Sequence, residues 1–130
     1  MAKLEKYSAP GVYDPPGYSQ AIKVTGAQTI LFLAGQVPYD KDGGVAHRGD
    51  FTSQARQVFG AVKALVEAGG GTLASVVKIT TYVTDVRYRA DFRVVRDEFF
   101  GVRGPASTMV EVSSLSHPDY LIEVEAIAVV

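Results

Sequence analysis

The chain contains no cysteine. Disulfides, thiolate nucleophiles and cysteine-based zinc or iron–sulfur centres are therefore excluded outright. Histidine is nearly absent too: His47 and His117 stand far apart, so a histidine-rich metal site would need ligands from elsewhere or from a second subunit. A strong charge of either sign is also missing. Thirteen basic against 14 acidic residues leave a formal charge of -1, which gives no electrostatic footprint for a nucleic acid. The longest apolar stretches fall well short of the roughly 20 residues that span a bilayer. Residues 1–13 carry lysines and a glutamate but no apolar run, so no secretory signal is read there and a cytoplasmic location is the expectation. There is no internal repeat and no low-complexity tract.

What is present suits one folded domain over residues 1–130. A chain of 130 residues with 47% hydrophobic residues buries roughly two thirds of the surface its unfolded form exposes, enough for a core without staples. The opening segment from Tyr7 to Gly17 holds three prolines, which fix φ and withhold donors, and reads as an extended arm. Tyr18 to Val24 reads as a strand, with Thr29 to Gln36 as its partner across a turn at Thr25-Gly26-Ala27. Asp40 to Gly44 supplies the next reversal.

The period then changes. Ala55, Val58, Val62, Leu65 and Val66 recur three or four apart, which predicts a helix over residues 52–68. Asp50 or Thr52 can cap its start, and Gly69-Gly70-Gly71 ends it. Val76 to Val83, dense in β-branched residues, reads as a buried strand. A second amphipathic helix covers about 90–100, with Phe92, Val95 and Phe99 on one face and Arg89, Arg93 and Arg96 on another. Thr108 to Val112 and Leu121 to Val130 complete the strands. The order predicts an α+β protein, an open mixed sheet with two helices on one side. Its other side, rich in apolar residues, needs a cover, and further subunits are the simplest one.

No nucleotide motif is present: the triple glycine follows a helix rather than a strand, and there is no Gly-Lys-Ser/Thr step. Glu123 and Glu125 share a strand face opposite Val124, where a carboxylate is either solvated, paired, or held in a pocket that raises its pKa. Glu111 reads as a structural acceptor near a strand end. The arginine face of the second helix is either wetted surface or an anion site, since a guanidinium holds a carboxylate through two parallel hydrogen bonds. Tyr18 either caps a core edge or presents its phenol to a pocket. Asp91 and Asp97 show no metal pattern, and His117 reads as loop surface.

Several segments together resemble the RidA (YjgF/YER057c/UK114) family: Gly17-Tyr18-Ser19-Gln20-Ala21, Phe32-Leu33-Ala34-Gly35-Gln36-Val37-Pro38, the run from Gln54 to Leu65, Val77 to Asp85, Phe99-Phe100, Gly104-Pro105-Ala106, and Leu121 to Ala128. The resemblance covers nearly the whole chain in order. It implies a chorismate-mutase-like fold, a homotrimer with a barrel-like centre, and ligand clefts between subunits. It also implies cofactor-free hydrolysis of 2-imino or 2-enamino acids to 2-oxo acids and ammonia. By position, Tyr18 matches the family's pocket tyrosine, Gly35 lies beside the cleft, and Glu123 matches the last-strand glutamate that handles water and the leaving nitrogen.

The chain departs from the pattern at one point. The family's carboxylate-clamping arginine after Pro-Ala is Ser107 here, two residues before Met109, which replaces a small cysteine. Arg93 aligns with a pocket asparagine and is the candidate replacement clamp, with Arg103 or Arg96 behind it. Losing a desolvated charge-assisted pair costs about 2–5 kcal/mol, so three readings follow. They are a deaminase of altered substrate choice, a non-catalytic small-metabolite binder using the same clefts, and, disfavoured by the charge balance, an RNA-directed ribonuclease or translation inhibitor.

Overall fold

A computed structural model describes residues 2–130. Seven strands and two helices follow in the order β1 (Lys3–Tyr7), β2 (Gly17–Ser19), β3 (Ala21–Thr25), β4 (Ile30–Gln36), α1 (Phe51–Ala68), β5 (Val76–Val83), α2 (Arg89–Phe100), β6 (Arg103–Glu111) and β7 (Ile122–Val129). Five strands form one mixed sheet in the order β2-β6-β5-β7-β4, and β1 and β3 pair separately. β5 and β6 run parallel because α2 carries the chain back across the sheet between them. β7 then lies antiparallel between β5 and β4.

The expected hairpin between 18–24 and 29–36 does not form. The first of those runs breaks at Gln20 into β2 and β3; β3 pairs with β1, and β4 pairs with β7. The turn at Gly26 is real, with φ at +72°, but it hands the chain to another sheet. The arm expected from Tyr7 onward is preceded by strand β1. Four of its five residues are exposed, so its sequence carries no apolar alternation to betray it.

Both helices cover one face of the large sheet. Asp50 caps α1, accepting from the Ser53 N–H at 3.1 Å and the Ser53 hydroxyl at 2.7 Å, and these bonds hold its carboxyl below the usual range. The buried stripe of α1 is Ala55, Val58, Phe59, Val62 and Val66, while Leu65, read as part of it, is 44% exposed. Phe59 is fully buried and meets Phe92, Phe99 and Phe100 at ring-centroid distances of 5.9, 5.5 and 5.6 Å, closing the seam between α1 and α2. Burying such a ring stabilises by about 1.5–3 kcal/mol. Between the two helices, Arg56 of α1 holds Glu98 of α2 through two hydrogen bonds of 3.0 and 2.7 Å.

From the sheet, Ile79, Val83, Ile122, Val124, Ala126 and Ala128 point into the same core. Gln54, fully buried, satisfies its amide there: it donates to the carbonyls of Ala46, His47 and Asp119 and accepts from Leu121 N–H, tying two loops to α1. The opposite sheet face has no cover in a single chain. On β4, Ile30 is 54% and Phe32 78% exposed. Among the described residues no helix is long and apolar enough to cross a membrane.

Candidate functional site

Cross-strand register divides the candidate residues into two groups. Ser107 lies opposite Ile79 and Met109 opposite Thr81, and both β5 residues sit on the helix-covered face. Glu123 lies opposite Tyr82, between Ile122 and Val124, which are both buried under the helices. Its side chain therefore leaves the sheet on the uncovered face. One chain cannot bring Glu123 and Ser107 into one pocket.

The helix-side group gathers where α2 crosses the β2–β6 edge. A cavity of about 330 Å³ is lined by Tyr18 from β2, Phe92, Arg93 and Arg96 from α2, and Ser107 and Met109 from β6. Val86 and Arg89 complete the lining. Tyr18, Arg93, Ser107 and Met109, chosen from the sequence, thus share one concavity. Arg103, named as a reserve clamp, lies elsewhere: it pairs with Asp14 at 3.2 Å.

The largest departure concerns Arg96. Placed by its helix face as either wetted surface or anion site, and as a reserve clamp, it is 6% exposed, whereas Arg89 and Arg93 are exposed. Its guanidinium carbon lies 5.6 Å from the Tyr18 ring centroid and 5.8 Å from that of Phe92. Its Nε donates to Asp97 Oδ1 at 3.2 Å. Gly17 makes room for it: a Cβ there would collide with the Arg96 Nη2, and the backbone φ of +89° disfavours any side chain independently. The clue was in the sequence. Phe92 and Arg96 are one helical turn apart, so a helix that buries the first carries the second along the edge of the core.

On the other face, Glu123 packs against Gly35. Between Leu33, opposite Ala126, and Gln36, opposite Val124, β4 carries one residue more than β7, a bulge at Ala34-Gly35. It brings the Gly35 backbone against the Glu123 carboxylate, in the space where a Cβ would stand. Burial, and then the neighbouring Glu125, push the Glu123 carboxyl above the usual range. Glu125 itself accepts a 2.7 Å hydrogen bond from the Tyr82 hydroxyl, which raises that phenol's pKa. Glu111 accepts the Val86 N–H at 2.9 Å, the structural bond expected of it. His117 accepts the Asp119 N–H at 3.0 Å within the loop before β7. Among the described residues no three acidic or histidine side chains gather as metal ligands would.

Gly35→Ala is expected to displace the Glu123 side chain while sparing the fold, because the obstructed atoms are the end of a flexible side chain. Its thermal midpoint should stay within a few degrees of wild type while any Glu123-dependent rate falls by about tenfold or more.

The mixed sheet, the two helices on one face and the two groups of polar residues define a small α+β protein of the RidA-like fold. Residues 12–130 match the family described as Endoribonuclease L-PSP. A RutC family protein of Pyrococcus horikoshii is 47% identical over 111 residues, 85% of each chain. Among solved structures, a Rid-family protein of unknown function from Yersinia pestis superposes with a TM-score of 0.86 at 27% identity, covering 98% of both chains. RidA from an Antarctic Psychrobacter gives 0.73 at 32% identity, covering 96% of this chain and 94% of that one. The chain belongs to the RidA (YjgF/YER057c/UK114) family.

Proposed function

We propose that the protein is a homotrimeric hydrolytic deaminase of 2-imino or 2-enamino acids, its site assembled from two subunits. One subunit contributes the Gly35–Glu123 group, and its neighbour contributes the cavity of Tyr18, Arg93, Ser107 and Met109. The observation that carries this reading is the placement of the two groups on opposite faces of one sheet. A second copy packed on the uncovered face is the simplest way for a carboxylate and a substrate pocket to meet. Family membership and the raised Glu123 carboxyl support it.

The chemistry needs no cofactor. The imine takes up a proton from solvent; water then adds to its carbon while Glu123 accepts one of the water's protons, and the iminium nitrogen becomes a neutral amine. The same carboxyl then returns the proton to that nitrogen, the C–N bond breaks, and the carbinol oxygen becomes the 2-oxo group as its proton is released. One imino acid and one water give one 2-oxo acid and one ammonia. A carboxyl held above its usual range serves both directions of this transfer near neutral pH. Tyr18 and the cavity wall hold the rest of the substrate.

The test is complementation between two defective chains. Glu123→Gln and a Tyr18→Phe/Ser107→Ala double variant are each expected to be weak when pure. Co-refolded, they should form some sites with both intact halves and recover a measurable part of the wild-type rate of ammonia and oxo-acid release. Sedimentation should give a trimer. A monomer, or mixtures no more active than the pure variants, would overturn the shared site. Release of no ammonia from a panel of imino acids by the wild-type protein would leave the cavity to a binding protein without catalysis.

A further inference from the structure

The cavity beneath α2 carries more positive charge than one substrate carboxylate needs. Three guanidiniums, from Arg89, Arg93 and Arg96, line it, and no carboxylate does. Of these three, Arg96 pairs with Asp97, whereas Arg89 and Arg93 form no ion pair among the described residues. Two acidic groups beside Val86 are engaged elsewhere, Asp85 with Arg87 at 2.6 Å and Glu111 with the Val86 N–H, and the exposed Asp91 of α2 does not line the cavity. Within one chain, three lining cations against one paired anion leave an excess of two.

Arg96 is the unusual member. Its side chain is 7% exposed, while its partner Asp97 is 44% exposed. A guanidinium has five N–H donors, and the only hydrogen bond it donates among the described residues is the one from Nε. Its Nη groups have no partner among the described residues and open to the solvent of the cavity, so a ligand with paired acceptors finds them free. The rings of Tyr18 and Phe92 and the backbone of Gly17 fix the group in place, so an incoming anion meets a donor array that needs little reorganisation.

We infer that this cavity selects a dicarboxylate, an imino or enamino acid with a second acidic group, with buried Arg96 binding one carboxylate and Arg93, flanked by Arg89, binding the other. This rests on the deaminase reading for the identity of the reacting group, but the charge selectivity belongs to the cavity itself. A volume of about 330 Å³ accommodates a small metabolite of this kind. Ser107, short and uncharged on β6, leaves the space that a longer side chain there would fill. Arg96 is then the specificity-determining residue.

Calorimetric binding of two product-like acids of equal chain length tests the charge preference without requiring turnover. 2-Oxoglutarate should bind at least about tenfold more tightly than 2-oxopentanoate, a difference of ~1.4 kcal/mol. Arg96→Met should erase that preference, Arg96→Lys should retain part of it, and Arg93→Gln, at the exposed mouth, should reduce it with an unchanged thermal midpoint. Equal affinities, no binding of either acid, or a preference that survives Arg96→Met in a folded protein would overturn the inference. Should Arg96→Met fail to fold, an undiminished preference in Arg93→Gln does the same. Inorganic phosphate displacing 2-oxoglutarate at lower concentration than the dicarboxylate's own would assign the cavity to phosphate esters instead. Ammonia release from 2-iminoglutarate, followed separately, reports on the deaminase reading: selective binding with no ammonia from any imine leaves the charge selectivity standing and removes the reaction.

Discussion

Glu123→Gln is expected to lower turnover by about 10²–10⁴-fold, the usual contribution of a positioned acid–base group, while leaving assembly intact and making the folded protein more stable at neutral pH. The two effects share one cause. Burial, and secondarily Glu125, place the Glu123 carboxyl above the ordinary carboxylate range. The folded state therefore holds this proton more tightly than the unfolded state does. Stability is greatest below the ordinary carboxylate pKa and declines as pH rises from there through the raised value, because the folded protein must then keep a charge in a poorly solvated place. Glutamine keeps the shape and never ionises, so it escapes that decline. Thermal unfolding should show the variant ahead of wild type at pH 7 and level with it at pH below the ordinary range. The rate profile supplies an independent check. In wild type, kcat/KM should fall as pH drops through the raised Glu123 value, and the residual rate of the variant should lack that limb. Equal turnover in the two proteins would remove Glu123 from the mechanism.

How much of this was legible in the sequence depended on whether local pattern decided the outcome. The α1 stripe, the β-branched strand β5 and the amphipathic α2 were readable because their periods are written in consecutive residues. Strand partners were not. Two apolar runs joined by a short turn read as a hairpin, yet β4 gains a longer antiparallel partner in β7 at the far end of the chain, and β3 takes the charged and unpromising β1. The shared face of Glu123 and Glu125 followed from strand alternation. Their separation from Ser107 depends on the registers of β5 with both β6 and β7, which no single segment encodes. The burial of Arg96, named only as a reserve clamp on a face that was either wet or anion-binding, was not legible for a related reason. Charge suggested surface, but its position one turn after Phe92, together with the absence of a side chain on Gly17, draws it into the core edge. The resemblance located Gly35 beside a cleft, whereas the bulge that presses it against Glu123 is a property of paired strands.

Phe32→Glu is expected to dissolve the proposed trimer and, with it, the proposed activity. Phe32 stands on β4, an edge strand, with 78% of its surface exposed, and shares the uncovered face with Ile30 and the half-exposed Ile127 opposite it. A monomer would gain nothing from presenting this ring to water. Covering it in an assembly stabilises by about 1.5–3 kcal/mol per copy. Three copies multiply the effect, and a glutamate in their place adds the cost of burying an unpaired carboxylate beside Glu125, which lines a separate pocket with Phe32 on the uncovered face. The association constant should therefore fall by several orders of magnitude, enough for sedimentation to give monomers at micromolar concentration. The subunit itself should survive, because its core lies on the other side of the sheet, among Phe59, Ile79, Ile122 and Val124. Circular dichroism should retain the helical signal, and the helix-side cavity, complete within one chain, should keep its affinity for 2-oxoglutarate within a few-fold. Turnover should vanish all the same, since Glu123 then faces solvent and not a neighbour's pocket. A monomeric Phe32→Glu protein that still turned over imino acids would place the whole reaction within one subunit and refute the shared site.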